Sequence, residues 1–352
     1  MRNNYLKIGL FFVSALFFMS CAKEDINDLS DTFYVRHKGA DMPAHIYGNA
    51  SEKVFLILLH GGPGDSGLSY RFGTIKNRIE KSCAVVYFDQ RGSGMSQGRF
   101  SENDFNIDVM TEDVMALVKV IQHKYGNDSR FFLMGHSWGG TLGIATLLKN
   151  NNQDFFKGWI NVDGVHDWRQ LYFGYIENYK VLSKEQIALG NRVDYWQKVL
   201  NKVKTVDPLK PNLEDFFKLN REAFIAETNI RRDGFIVSDD DYEKEIVNNY
   251  VFKNNLLTTF WSGAMARNVL IREDIFKNWS FEDRLNEIKI PSLLLWGKHD
   301  VVIPYQIGER ISVKMGSKYK KHVLFEQSGH FPGGTESQKF ADEVEAFISM
   351  NK

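Results

Sequence analysis

The stretch Arg130–Thr141, RFFLMGHSWGGT, constrains the fold more than any other part of the chain. Phe131, Phe132, Leu133 and Met134 form an unbroken apolar run, the pattern of a strand covered on both faces. Gly135, Ser137 and Gly139 follow, and then Leu142, Ile144, Ala145 and Leu148 recur at helical spacing. The chain therefore passes from strand to helix through a tight turn with a serine at its apex, the context that a G-x-S-x-G nucleophile elbow requires. A side chain at 135 or 139 would collide with a neighbouring strand or helix, and the backbone at Ser137 is expected to be strained. The plain alternative is a serine that only caps the helix.

The surrounding sequence repeats the strand–helix alternation. Thr32–Tyr47 reads as a strand pair turning at Lys38-Gly39-Ala40-Asp41, and Val54–Leu59 as a buried strand that runs into His60-Gly61-Gly62-Pro63-Gly64. A helical segment, Tyr70–Lys81, precedes the buried strand Ala84–Phe88, which enters Asp89-Gln90-Arg91-Gly92-Ser93-Gly94. Met110, Val114, Leu117, Val118 and Ile121 share one face of the next helix, with Asp108 or Thr111 as its cap. Trp159–Val162 is a further strand, ending at Asp163-Gly164. From about Val165 to Ser280 the composition becomes helical, dense in aromatics and charges, and lacks buried strand runs. Alternation resumes with a strand at Ile290–Trp296, a helix from Pro304, a last strand at His322–Phe325 and a closing helix at Ser337–Met350. This is the pattern of an α/β fold with a mostly parallel sheet flanked by helices. The middle stretch is expected to be a helical cap above the carboxyl edge of the sheet, where such folds bind ligands. The expected divisions are a signal peptide at 1–20, a tether at 21–31, a first core part at 32–164, the cap at 165–280 and a second core part at 281–352.

The first twenty residues read as an address. Arg2 and Lys7 give a positive start, and Ile8–Met19 is an apolar run of twelve residues. That is too short for a mature membrane span and suits a signal peptide. The run Phe18-Met19-Ser20-Cys21 resembles a bacterial lipobox, which implies lipidation at Cys21 and a polar tether after it. Ala22, not aspartate, follows the cysteine, as in outer-membrane lipoproteins, and Lys23-Glu24-Asp25 resembles an acidic surface-export tag. The expectation is an exported lipoprotein held to the membrane through Cys21, facing the periplasm or the cell surface. Cys83 stands in an apolar stretch as a small buried residue, and two cysteines exclude a disulfide framework. Lys and Arg (44) balance Asp and Glu (44), so no nucleic-acid surface is expected. H-E-x-x-H, Walker-type and EF-hand patterns are absent.

A serine hydroxyl needs a positioned base, and the base needs an acid that fixes its tautomer. Asp300 and His330 follow Ser137 in that chain order, each just past a predicted strand, so all three can meet at one sheet edge. Asp163, also at a strand end, is the alternative acid. Among the other histidines, His60 opens a glycine loop, His136 is expected to face away from the site, and His299 shares a turn with Asp300. The loop His60–Gly64 lies where an oxyanion hole belongs, with the N–H groups of Gly62 and Trp138 as its donors. A rival reading takes Gly62-x-Gly64-x-x-Gly67 with Asp89 as a dinucleotide fingerprint, but leaves the serine, acid and imidazole unexplained.

Together HGGPG (60–64), DQRGSG (89–94), GHSWGG (135–140), WGKHD (296–300) and SGHFP (328–332) resemble the alpha/beta-hydrolase superfamily, most of all its proline iminopeptidase group. The resemblance implies a sheet of about eight strands with a helical cap, and hydrolysis by Ser137, Asp300 and His330 without metal or cofactor. It also implies that Asp89 and Arg91 brace the oxyanion loop. Aminopeptidases of that group hold the substrate's ammonium group with cap carboxylates. Their tryptophan–glutamate pattern has no match in 165–280, which leaves Glu177, Glu222 and Glu227 as substrate-binding candidates. Trp168, Tyr172, Phe173, Tyr175, Phe260 and Trp261 either line a pocket or form the cap's own core. The expected activity is release of an N-terminal proline or similar residue from short peptides. Carboxylic-ester hydrolysis by the same residues is the alternative, and a non-catalytic ligand-binding surface lipoprotein is a third reading.

Overall fold

A computed structural model describes residues 25–237, 274 and 279–352. Cys21, the apolar run before it, Phe260 and Trp261 lie outside the described residues. One sheet organises the described chain. Its strands are β1 (Leu29–His37), β2 (Ala40–Gly48), β3 (Val54–Leu59), β4 (Ala84–Phe88), β5 (Gln97–Gly98), β6 (Arg130–His136), β7 (Phe156–Val162), β8 (Ser292–Gly297) and β9 (Lys320–Phe325). The order is β1-β2-β4-β3-β6-β7-β8-β9, with the two-residue β5 paired to β2. β1 and β2 form an antiparallel hairpin and β2 runs antiparallel to β4, while β4, β3, β6, β7, β8 and β9 are mutually parallel. The sheet therefore has the expected eight strands plus the short β5. β1 begins at Leu29, inside the segment expected to be a tether.

Strand alternation explains why the central strands are apolar throughout. Phe55, Ile57 and Leu59 of β3 enter one core with Phe131 and Leu133 of β6. Val54, Leu56 and Leu58 enter the opposite core with Phe132 and Met134. Helices α1 (Ile107–Tyr125) and α2 (Trp138–Leu148) cover the first face, and α7 (Ser337–Asn351) covers the second. The cap of α1 is Asn106, whose side-chain oxygen accepts from Val109 N–H at 2.9 Å. It takes the role expected of Asp108 or Thr111, because an N-cap must stand outside the helix in extended backbone, as Asn106 does.

The described part of the middle stretch is helical, as expected: α3 (Trp168–Ala188), α4 (Val193–Lys204) and α5 (Leu213–Arg232). Asp167 caps α3 and Asn212 caps α5 through side-chain oxygens that accept first-turn amides. Trp168, Tyr172 and Tyr175 are buried in the core between these helices, while Phe173 is partly exposed. Helix α6 (Tyr305–Lys314) follows β8. No helix among the described residues is long and apolar enough to cross a membrane.

Candidate active site

Six parallel strands present their carboxyl ends to one edge, so the loops after β3, β6, β7, β8 and β9 converge there. Ser137 follows β6 with φ 55° and ψ −118°, a left-handed conformation that is costly for a serine. The surrounding glycines make the turn sterically feasible. A Cβ on Gly135 would come 2.2 Å from the carbonyl oxygen of Gly139, and one on Gly139 would come 2.0 Å from that of Leu59 in β3. The Ser137 side chain makes no capping hydrogen bond to α2, so it does not cap the helix.

Asp300 and His330 meet as their order along the sheet suggests. His330 Nδ1 lies 2.9 Å from Asp300 Oδ2, while Asp300 Oδ1 accepts the N–H of Ile303 at 2.7 Å. One carboxylate thus holds both the imidazole and its own turn. The His330 ring packs 4.6 Å from that of His136, the residue just before Ser137. Among the described residues, the hydroxyl of Ser137 has no hydrogen-bond partner. Such a contact commonly tightens only when substrate is bound.

His136 does not face away from the site. Its ring lies against both His330 and Phe331, with Nδ1 2.6 Å from the hydroxyl of Tyr70. The turn at Ser137 swings the ring across the sheet edge instead of letting it follow strand alternation. Burial holds His136 well below the ordinary imidazole value, with repulsion from His330 adding to it, so it stays neutral. His60 is also structural. Its Nδ1 lies 2.9 Å from the Gly61 carbonyl, and its Nε2 accepts from Gln90 N–H. His299 packs against Phe235.

Asp163 enters the site in a role that chain order did not suggest. It sits past β7 at φ 45°, fully buried, and accepts Gly297 N–H and Phe331 N–H, both at 3.1 Å. It also hydrogen-bonds to Asp300. Burial first, and then the charge of Asp300, push its carboxyl well above the usual range. Two touching carboxyls cannot both ionise, so the pair shares a proton. Burial, and then the charge of Glu227, push Asp300 up as well; the expected holder of the shared proton is Asp163, because Asp300 faces the imidazole N–H.

The His60–Gly64 loop passes close to the serine: a Cβ on Gly61 would lie 3.3 Å from the Ser137 Cβ. The Gly61 N–H is taken by the hydroxyl of Tyr70 at 2.9 Å. The N–H groups of Gly62 and Trp138 have no acceptor among the described residues. Gln90, which sequence reasoning passed over, ties this region together. Its amide donates to the His60 carbonyl at 2.8 Å and accepts from the Trp138 indole N–H at 2.8 Å. Asp89 braces the continuation of the loop, accepting from Ser66 Oγ, Gly67 N–H and Met95 N–H. These bonds occupy the carboxylate that the dinucleotide reading required for a ribose, and a short 3-10 turn, Gly67–Tyr70, follows the loop where that fingerprint needs a helix. Arg91 does not brace the loop. It forms a buried two-pronged pair with Asp113 of α1 and donates to the carbonyls of His37 and Lys38.

The three cap acids separate. Glu177 is exposed and pairs with Lys180. Glu222 is held inside the cap by Lys202 and the Tyr195 hydroxyl. Only Glu227 reaches the site, where it accepts the N–H groups of His330 at 2.9 Å and Val301 at 3.2 Å. A capped parallel sheet with a strained serine between strand and helix, and a buried carboxyl–imidazole pair at the same sheet edge, is an arrangement suited to hydrolysis. The fold is the alpha/beta-hydrolase fold, and the family profile of that description matches residues 54–202.

Among curated proteins the chain is similar to proline iminopeptidases. It is 25% identical over 334 residues to a proline iminopeptidase of Saccharolobus solfataricus, covering 90% of this chain and 92% of that one. It is 24% identical over 308 residues to the probable aminopeptidase YbaC of Bacillus subtilis, covering 85% and 90%. The fold is also that of the esterase RhEst1 from Rhodococcus, with TM-score 0.62, 16% identity and coverage of 92% and 99%.

Burial holds His330 below the ordinary imidazole value, against the pull of the neighbouring carboxylates in the other direction. A lowered value means the ring loses its proton, and becomes a competent base, at lower pH. The plot of kcat/KM against pH is therefore expected to rise through a limb centred below about 6.5. A limb centred above 7 would be incompatible with His330 as that base.

Proposed function

We propose that the protein is a serine hydrolase that transfers an acyl group to water through Ser137, releasing an N-terminal proline or a similar residue from short peptides. The observation that carries this reading is the Asp300–His330 pair beside the strained Ser137 turn. Ser137 Oγ attacks the scissile carbonyl while His330 Nε2 takes its proton. The oxyanion accepts the N–H groups of Gly62 and Trp138. Each such donor is commonly worth about 10²–10³ in rate. The tetrahedral species collapses, His330 passes its proton to the leaving amine, and an acyl-enzyme remains on Ser137. Water then attacks with His330 as base, and its proton returns to Ser137 as the acid product leaves. Asp300 fixes the tautomer and faces the imidazolium throughout.

The peptide assignment is supported by the two aminopeptidase-named relatives. A second reading, carboxylic-ester hydrolysis, is favoured by the cap, where Glu177 and Glu222 are engaged away from the site. The two are separated by comparing a proline arylamide with an acyl ester of the same leaving-group size. The expected result is turnover of the arylamide, with loss when its amine is acylated. Turnover of the ester alone would replace the aminopeptidase reading with the second one.

A further inference from the structure

Four backbone amides flank the acid and base loops, and two carboxyl groups take all four. Asp163, at the end of β7, accepts Gly297 N–H before the acid loop and Phe331 N–H after the base. Glu227, on the cap helix α5, accepts Val301 N–H just after Asp300 and His330 N–H itself. The acid and base are thus bracketed from two sides, once by the core and once by the cap. Glu227 is nearly buried at 9% exposure, and both its oxygens are engaged. Gly329 makes room for it: a Cβ there would lie 2.6 Å from Glu227 Oε1. A second cap contact grips the same loop. The hydroxyl of Tyr175 on α3 donates to the Val302 carbonyl at 2.8 Å and accepts from Asn220 of α5 at 2.7 Å.

We propose that Glu227 is a positioning residue through which the docked cap holds Asp300 and His330 in register, and not the carboxylate that receives the substrate's ammonium group. The proposal rests on the serine-hydrolase reading above. An ammonium-binding acid should present a free oxygen to the cleft, whereas this one is turned onto two main-chain donors. A long acidic side chain suits the task because it crosses from cap to core and accepts two N–H groups at once. Its charge also lies close enough to His330 to favour the protonated ring.

The test is Glu227→Gln, which keeps the shape but turns one acceptor into a donor facing an N–H group. Initial rates are measured on a proline arylamide and on a neutral acyl ester across a pH series. Loss of register is expected to lower kcat on both substrates by a similar factor, roughly 10- to 100-fold, with KM little changed. Loss of the charge is expected to move the acid limb of kcat/KM to lower pH, because the imidazolium loses a favourable neighbour. A rise in KM for the arylamide alone, with the ester untouched, would overturn the proposal in favour of ammonium binding. Unchanged kinetics and an unchanged limb would overturn it outright. Should Glu227→Gln not fold, Gly329→Ala carries the test, since its methyl group displaces the carboxylate but keeps the charge. It is expected to lower kcat on both substrates, and retention of wild-type kcat would refute the positioning role. Failure of the hydrolase reading is distinct: the wild-type protein itself would then resist fluorophosphonate labelling and turn over neither substrate.

Discussion

Ser137→Ala is expected to abolish covalent labelling by a fluorophosphonate and to lower kcat by at least about 10⁴-fold. The acyl-enzyme route has no other nucleophile. The neighbouring side chains at the apex, His136 and Trp138, are buried and engaged with Tyr70 and Gln90. Whatever activity remains would come from substrate binding and the amides of Gly62 and Trp138 acting on an attacking water. The fold should persist, because the Ser137 side chain makes no capping bond and alanine removes only its hydroxyl oxygen. Thermal unfolding of the variant serves as the control. Undiminished labelling of Ser137→Ala would place the nucleophile elsewhere.

Asp300→Asn should be nearly as damaging, with a fall in kcat of about 10⁴-fold. An amide NH₂ facing Nδ1 would pin the imidazole in the tautomer whose Nε2 carries the hydrogen, so it could no longer accept the serine proton. The informative control is Asp163→Asn. With the shared proton expected on Asp163, an amide there copies its neutral form and removes one acceptor from the Gly297 and Phe331 amides. Its cost should stay near that of one hydrogen bond, roughly tenfold in rate at most. Equal losses at 163 and 300, measured as kcat on one substrate, would show that the proton had been assigned to the wrong carboxyl.

The frame of this site was legible because it depends on chain order and strand periodicity. Val54–Leu59, Ala84–Phe88 and Phe131–Met134 are apolar without interruption, and only strands buried on both faces need that. Once the sheet is parallel, residues just past strand ends must share an edge, which is why Ser137, Asp300 and His330 could be expected at one edge and why Asp300 and His330 meet there. What the sequence withheld depends on neighbours across the sheet and on local backbone hand. The contact of Asp163 with Asp300 follows from β7 lying beside β8 and from the left-handed turns at Asp163 and Phe331. His136 was misjudged for a related reason, since its direction is set by the strained turn and not by strand alternation. Glu227 was visible as a candidate, but helical periodicity says nothing about which loop a side chain on a cap will meet. Gln90 had a readable signal, a polar residue two positions past a buried strand and between two charged ones, and its crosslink between His60 and Trp138 explains it.

Strand order along the chain has a temporal consequence. The proposed nucleophile, the oxyanion amides and Asp163 all belong to the first half of the polypeptide, whereas the imidazole arrives on the last loop, after β9 has added to the far side of β8. Until that closing strand is seated, a growing or unfolding chain carries an unactivated alcohol and no proton acceptor to drive it. On the proposed mechanism, activity is therefore the last property gained on folding and the first lost on fraying, so an incomplete molecule is expected to be inert toward substrate.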